Sequence, residues 1–432
     1  MRSFFPSIVV FALLFFSFMT HGGIGNNDYT LIPIAHEAEI YKKIDQYNHW
    51  LEMDPHSGEA TIYGRITRSK NYGIFSDAGL LGQCNGGQHL DGDKKYRHAL
   101  SCYRNNTCRD YFLYESQTGG QAFIYTLVNK IHGNPVIFRV LCASFLSAVL
   151  TSWFWWLCGY WGVLPSFLVM VGILSLRSLM LFGDNIAQVL GIDYLLMVAL
   201  FWAYKKRYKK LGTLVFLILF LKLVLSGAEY LFSVLLLPFI PLVFYAVLNK
   251  ISRQRIIKDV VSITAGSLSA CVVAFLILII QVSFATSQAE AIHHFINRVL
   301  ARTLSPNDLT GTPMLLAKNT SLLQILHLYL SIPCISIGTW QVSFKMVILF
   351  FLMVSVLSFY LYHCYQQRML LALLASTWAS ILCPLSWILF AKGHSVPHTF
   401  IDQLIWHMPF TLLGIALSVM TLQTALSKWA HE

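Results

Sequence analysis

The sequence predicts an all-α polytopic membrane protein with about ten transmembrane helices, and roughly nine to eleven is the range that its apolar segments allow. Of the 432 residues, 56% are hydrophobic and only 12% are charged, about half of the ~25% usual in a soluble domain. The mean hydropathy is +0.60. Apolar runs close to the ~20 residues that cross ~30 Å of hydrocarbon recur along the chain. Strand-length segments of alternating hydrophobicity are absent, which argues against an outer-membrane barrel.

The first predicted span, within residues 1–20, has the length of either a signal peptide or a membrane anchor. Its FMTHGG flank lacks the small-residue pattern of a cleavage site, so we expect a retained signal anchor. Residues 321–340 are apolar enough for an eleventh span, but Pro333 and Gly338 favour a membrane-surface or re-entrant segment. The ten predicted spans are 3–20, 136–157, 162–181, 185–203, 211–227, 229–248, 260–284, 346–363, 369–391 and 406–427.

Two short loops set the predicted orientation. KKRYKK at 205–210 and NKISRQRIIK at 249–258 are strongly basic, and such loops stay in the cytoplasm. Residues 21–134 then form a large extracytoplasmic loop domain with amphipathic helices, and both termini are cytoplasmic. Residues 135–432 form a multi-span bundle with an outer-face loop at 285–345. The formal charge of +11 therefore indicates topology, in what we expect to be a bacterial inner membrane, and not nucleic-acid binding.

The outer-face loop contains one amphipathic stretch, EAIHHFINRVLAR at 290–302. Its apolar residues recur at helical spacing, which predicts a helix on the membrane surface. The side chains expected to face lipid are Ile292, Phe295, Ile296 and Val299.

Acidic residues of the bundle collect on the predicted outer side, at Asp184, Asp193, Glu229, Glu290, Asp308 and Asp402. Arg177 precedes Asp184 by seven residues, and Lys222 precedes Glu229 by seven. Seven residues are about two helical turns, which leaves each pair on one face. A cation within hydrocarbon costs ~2.5–3.5 kcal/mol, so each needs a partner or a watery cavity. We interpret these residues either as structural ion pairs or as part of an outward-facing cavity that binds an anionic headgroup.

Residues 391–407, AKGHSVPHTFIDQLIWH, concentrate titratable groups between two apolar segments. His394, His398 and Asp402 are spaced i, i+4, i+8, so they form one stripe if the segment is helical. Ser395 is placed to cap such a helix.

Three roles suit this stripe. It could ligate a divalent metal, because histidine with carboxylate suits zinc. It could be an acid/base and anion-binding site, with a histidine moving a proton and Lys392 on a phosphate. It could also be a hydrogen-bonded interfacial cap of the last span, with Trp406 and His407 in the aromatic belt.

Three stretches together resemble a group of uncharacterised bacterial multi-span proteins: YESQTGGQA at 114–122, SGAEYLFSVLLLPFIPLVFY at 226–245 and LSWILFAKGHSVPHTFIDQLIW at 385–406. Phe400 and Asp402 stand where that group leads us to expect a histidine and an asparagine. The matching positions of the last stretch are Trp387, Lys392, His394, Ser395, His398, Thr399 and Trp406.

The overall plan also resembles the GT-C superfamily of glycosyltransferases. These enzymes have a first span, a long outer loop with a catalytic carboxylate, and a bundle whose outer cavity holds a polyprenyl-phosphate sugar donor. The resemblance implies that Asp28, Glu37 or Glu39 acts as the base toward the acceptor hydroxyl. Catalytic histidines are expected at His394 and His398.

The function implied is transfer of a sugar from the lipid-phosphate donor to a surface glycan or lipid at the extracytoplasmic face. Membrane lipids and the lipid-linked sugar are the expected partners. The phosphate-binding cations would be Arg177, Lys222 and Lys392, supported by Asp184, Glu229 and Asp402. The alternatives are a transporter or flippase for an anionic lipid or glycolipid, a metal-dependent membrane hydrolase, and a noncatalytic assembly factor. The one cofactor that these alternatives imply is a divalent metal, which the hydrolase would need.

Overall fold

A computed structural model describes residues 4–20, 57–72, 82–84, 92–107, 111–113, 117–304, 320–337, 340–395 and 399–429. These residues are helical apart from their connections and two small two-stranded antiparallel sheets. Among these described residues, six helices are long and apolar enough to cross a membrane: Val136–Trp161, Leu231–Asn249, Arg253–Ala285, Phe344–Tyr365, Arg368–Phe390 and Gln403–Trp429. The predicted class, a helical membrane protein, is confirmed, whereas the count of about ten spans stays a prediction.

The first part of the chain forms α1 and the described elements of the predicted loop domain. Their bounds are α1 Phe4–Thr20, α2 Ser57–Tyr72, β1 Gly82–Cys84, α3 Gly92–Asn105, β2 Tyr111–Leu113 and α4 Gly120–Ile131. Strands β1 and β2 pair antiparallel, with Gln83 opposite Phe112.

The first half of the bundle contains one interrupted span. Its helices are α5 Val136–Trp161, α6 Val163–Ile173, α7 Arg177–Phe182, α8 Leu190–Lys205, α9 Leu211–Ser226, α10 Leu231–Leu236 and α11 Phe239–Asn249. The segment predicted as one span at 162–181 divides into α6 and α7, because Leu176 takes an extended conformation and pairs with Ile335.

The second half contains the longest described helix and a β-hairpin. Its elements are α12 Arg253–Ala285, α13 Gln288–Leu304, α14 Leu322–Ser331, β3 Pro333–Ile337, β4 Trp340–Ser343, α15 Phe344–Tyr365, α16 Arg368–Ser380, α17 Leu382–Phe390, α18 Lys392–Ser395, α19 Thr399–Trp406, a kinked segment His407–Thr411 and α20 Leu412–Trp429. With 10 residues, α14 rises only about 15 Å, half of the hydrocarbon thickness, before the chain enters the hairpin.

Helix termini with basic residues gather at one end of the bundle, which we call the basic end. Lys205, at the end of α8, lies 4.5 Å over the ring of Tyr160 near the end of α5. Lys428 lies 5.0 Å over the ring of Tyr365. Among the residues that the structure describes there, Asp259 is the one acid, and it pairs with Arg255 at 2.9 Å. We call the opposite end the loop end.

Aromatic packing holds α5, α8 and α11 together near the basic end. Trp153 and Trp156 are fully buried and stack at 4.7 Å. Trp156 also packs on Phe201 at 4.6 Å, and its indole N–H donates to the Tyr245 hydroxyl at 2.9 Å. The cluster thus adds packing energy, and the Trp156 indole keeps its hydrogen bond within it.

Candidate functional site at the loop end

Helix α2, in the predicted loop domain, is polar yet buried. Glu59, Arg65, Thr67, Arg68 and Ser69 are all at most 4% exposed. Charged side chains are rarely fully buried unless other groups pair with them. Burial of so polar a helix therefore marks a part of the protein that is organised around its charges.

An ion-pair cluster joins α2 to the bundle. The guanidinium of Arg139, in α5, lies 2.6 Å from the Glu59 carboxylate and 3.2 Å from that of Asp184, which follows α7. The other Glu59 oxygen accepts the backbone N–H of Ile186 at 3.3 Å. Both oxygens of Glu59 are thus occupied, which suits an anchor of the loop domain better than a catalytic base.

Tyrosines surround this ion-pair cluster, and burial and the charges of the cluster shift their pKa values. The ring of Tyr63 lies 5.3 Å from that of Tyr103 and 6.0 Å from that of Tyr96. Burial, and then the negative charge of Glu59, raise the pKa of Tyr63. Burial also raises the pKa of Tyr96, which the Arg139 charge partly opposes. These hydroxyls stay neutral and act as hydrogen-bonding groups.

The QTGGQ run at 117–121 ties the loop domain to the end of α9. The Thr118 hydroxyl donates to the Val224 carbonyl at 2.7 Å, and the Gln117 amide donates to the Ser226 carbonyl at 3.4 Å. These bonds satisfy carbonyls at a helix end that have no partner within the helix. The resemblance motif YESQTGGQA therefore has a structural role in this chain.

The two glycines of this run are required by the backbone. Gly119 has φ 77°, a left-handed conformation that glycine adopts at little cost. A Cβ on Gly120 would lie 2.5 Å from the Val224 carbonyl oxygen. Larger residues would push the loop domain away from α9.

Lys222 lies in α9 with its ammonium inside the protein. It donates to the carbonyl of Gly227 at 2.9 Å and to that of Glu229, and it lies 4.0 Å from the Asp193 carboxylate. Lys222 and Asp193 are each 1% exposed. The cation thus stabilises the turn that begins α10, and Asp193 is a partner that the seven-residue spacing missed.

The spacing argument also needs correction at Arg177. Helix α7 ends at Phe182, so Arg177 and Asp184 do not share a two-turn helix face. Asp184 accepts from Arg139, on a neighbouring helix. Arg177 begins α7 and is 2% exposed. Glu229 is half-buried in the turn before α10.

The segment from residue 391 onward forms two described helices on either side of 396–398. Lys392 begins α18 and is half-exposed, and His394 lies in the same four-residue helix. Ser395 ends α18, and its hydroxyl donates back to the Lys392 carbonyl at 3.1 Å. The capping of a following helix by Ser395 involves residues 396–398, which lie outside the described residues, and it stays a prediction. Asp402 lies in α19.

The aromatic-belt interpretation of Trp406 and His407 is wrong. They are 1% and 0% exposed, packed against Phe344 at 5.4 Å each. Both residues lie beside a kink at Met408, where the backbone is not helical. Belt residues need access to the headgroup layer, which these two do not have.

Several predicted site residues lie outside the described residues: Asp28, Glu37, Glu39 and His398. Within the part of the chain that the structure describes, no group of three or more His, Cys, Asp or Glu residues is arranged to hold a metal.

Contacts connect these features along the loop end. Gln188, two residues beyond Ile186, accepts from the Ser226 hydroxyl at 3.1 Å. The ring of Tyr230, in the turn held by Lys222, packs on Trp387 at 5.4 Å. Trp387 lies five residues before Lys392 in the sequence. The Glu59 cluster, the Lys222 turn and Lys392 therefore belong to one end of the bundle.

An apolar groove of about 330 Å³ begins beside this end, between α12 and α13 on one side and α10 and α17 on the other. Trp387 and Ala391 line it. The loop end thus combines buried charges, a half-exposed lysine and a hydrophobic groove.

The sequence reasoning missed Glu59 and Arg139. Arg139 lies within the predicted span 136–157, so the cost of a cation in hydrocarbon already demanded a carboxylate for it. Glu59 carried no such signal, because polar helices in a long loop are ordinarily solvated.

The arrangement defines a helical membrane protein with a polar site at one end of its bundle. No protein-family model matches the chain, and neither a curated protein nor a solved structure matches it. Its function is therefore argued from the site alone.

Proposed function

We propose that this protein is a membrane glycosyltransferase of GT-C type, transferring a sugar from a polyprenyl-phosphate donor to a cell-surface glycan or lipid. The observation that carries the proposal is the docking of helix α2 at the loop end. Glu59 is held there by Arg139, at the end that also contains Lys392. Docking of α2 brings the chain that follows Asp28, Glu37 and Glu39 to this end.

The proposed orientation has ten crossings, a large extracytoplasmic loop at 21–134 and both termini in the cytoplasm of a bacterial cell. The charges of the basic end favour it, because basic loops stay inside. We assign the ten crossings to the six long helices and to four shorter units, α1, α6–α7, α8 and α9. Short helices are accommodated by local thinning of the bilayer.

The cations differ in the role that each can have. Lys222 is turned toward two carbonyls and is buried, so we assign to it the positioning of the 227–230 turn. Lys392 is half-exposed at the loop end, so we assign the donor phosphate to it. A lysine ammonium next to phosphate makes strong charge-assisted hydrogen bonds.

The proposed reaction needs one base and one stabilised leaving group. Asp28, Glu37 or Glu39 takes the proton of the acceptor hydroxyl, whose oxygen forms a bond to the anomeric carbon. The bond between that carbon and the phosphate oxygen breaks, and its electron pair leaves with the lipid phosphate. The positive charge of Lys392 stabilises that phosphate as its charge develops.

The test uses the full chain, reconstituted in vesicles that contain a panel of polyprenyl-phosphate-linked hexoses. Release of the lipid phosphate, with water as acceptor, is followed by mass spectrometry. We expect turnover of at least one donor, and a ~10²-fold loss in Lys392→Ala, as for removal of a charge-stabilising donor. Lys209→Ala, at the basic end, is the matched control. Equal rates in the two variants, or no turnover of any donor by folded protein, would overturn the proposal.

A second candidate, a flippase for an anionic lipid, is favoured by the buried Lys222–Asp193 pair, since ionisable groups within spans often mark transport paths. It predicts that the reconstituted protein moves a fluorescent anionic lipid between leaflets. Movement without any release of lipid phosphate would favour the flippase over the transferase.

A further inference from the structure

The groove between α12–α13 and α10–α17 has the size and lining of a ligand site. Its volume of about 330 Å³ lies at the lower end of the ~300–1,000 Å³ typical of small-molecule sites. Apolar side chains such as Phe275, Leu278 and Val282 form most of its wall, and His294 and Thr303 are its polar members.

The walls of this groove face the bilayer. Helix α12 is the least buried of the six long apolar helices, with 22% of its span buried in the protein. Leu276 and Ile280 on α12 are each 51% exposed, and Ile296 on α13 is 49% exposed. Phe295 packs on Phe275 at 5.2 Å and lines the groove between the helices. An apolar groove in such surroundings is accessible to hydrocarbon chains from the membrane.

The polar groups beside the groove suit a phosphate headgroup. His294 lines the groove, and Lys392 directly follows the lining residue Ala391. Of the neighbouring acids, Glu290 lies 3.2 Å from the Ser287 hydroxyl at the start of α13, where its charge offsets the helix dipole. Glu229 lies in the turn whose carbonyls are bonded to Lys222. An imidazole and an ammonium together provide donors to phosphate oxygens.

We propose that this groove binds one hydrocarbon chain of an anionic phospholipid, with the phosphate of the headgroup at His294 and Lys392. The site shares Lys392 with the proposed donor site, so the phospholipid and the donor compete for this ammonium. It goes beyond the proposed transferase, because it requires neither a sugar nor a reaction. Binding specificity comes from the headgroup, since a lipid tail is as well solvated in the bilayer as in the groove.

The experiment uses the full chain in phosphatidylcholine vesicles that contain a phosphatidylglycerol probe with a diazirine in one acyl chain. After illumination, mass spectrometry locates the label. We expect labelling within 275–282 and 291–303, and a several-fold loss in Leu278→Trp, which fills the groove. Leu276→Trp, on the lipid-facing side of the same helix, is the matched control and should label like the wild type.

Two further variants distinguish a loss of lipid binding from a loss of folding. Ala228→Leu narrows the groove with a smaller change of volume, and Ala265→Leu places the same side chain on an exposed position of α12. All four variants are checked by thermal unfolding in detergent. Equal labelling of the groove-filling and control variants would overturn the proposal.

The headgroup is tested with a phosphatidylcholine probe that carries the same diazirine chain. We expect it to label the groove several-fold less than phosphatidylglycerol, and His294→Ala with Lys392→Ala to remove that difference. Equal labelling by both probes in the wild type would exclude the anionic headgroup. Absence of sugar transfer by the folded wild type, with lipid labelling intact, would refute the transferase and leave the lipid site standing.

Discussion

Individual buried charges determine how the loop end is built. Arg139 neutralises part of the charge of Glu59 and Asp184, and Lys222 serves two carbonyls and Asp193. A buried ion pair adds little net stability, but removal of one partner leaves a costly uncompensated charge. Single substitutions should therefore have large effects.

Arg139→Ala should lower the free energy of unfolding by about 3–5 kcal/mol, because Glu59 and Asp184 lose the guanidinium between them. Thermal or denaturant unfolding in detergent measures the loss. Arg104→Ala removes an exposed arginine of α3 and should change stability by less than ~0.5 kcal/mol. Equal losses in both variants would show that the Glu59 cluster does not hold α2 in place.

Lys222→Met should also cost about 3–5 kcal/mol, since the Asp193 carboxylate then stays buried without the ammonium. The double variant Lys222→Met with Asp193→Leu should recover part of this loss. Unfolding of both single variants and the double variant gives the coupling free energy. Additive losses would contradict the pairing of these two side chains.

At the scale of elements, small residues permit close helix contacts. A Cβ on Gly266 of α12 would lie 2.2 Å from the Gly212 carbonyl oxygen of α9, and the Gly212 N–H donates to the Ser262 hydroxyl at 3.1 Å. In membranes, helices associate through such close packing. Lipid tails are as apolar as the helix surfaces, so the hydrophobic effect does not drive the helices together. The α9–α12 contact thus depends on these glycines.

Gly266→Val should lower the unfolding temperature in detergent, because the added side chain meets the backbone of α9. Ala265→Val, at the neighbouring exposed position, inserts the same side chain where it faces outward. This control should unfold close to the wild type. A Gly266→Val protein as stable as the control would mean that α9 and α12 do not pack at this glycine.

For the whole molecule, charge segregation predicts orientation. In a chain whose native cysteines are replaced, Arg104→Cys in the loop domain should react with a membrane-impermeant maleimide on intact cells. The side chain of Tyr208, at the basic end, is 45% exposed. Tyr208→Cys should react with the maleimide only after the membrane is permeabilised. The reverse pattern would invert the proposed topology.

Particular residues show how far the sequence alone reached. The long apolar helices, the buried Lys222 and the amphipathic α13 followed from composition and period. The packing of Phe295 on Phe275 was not predictable, because periodicity identifies the apolar face of a helix but not which part of that face a neighbour covers. Trp406 and His407 were misplaced because their burial depends on packing against Phe344 of another helix, which the local sequence does not reveal.

The sequence by itself determined that this is a membrane protein, since its low charge and long apolar runs allow no other environment. It also located most of the helices. Only the tertiary structure decided which charges meet. Glu59 and Arg139 are 80 residues apart, and Asp193 and Lys222 belong to different helices. Such pairs form through three-dimensional packing, which the spacing of residues along one helix cannot encode.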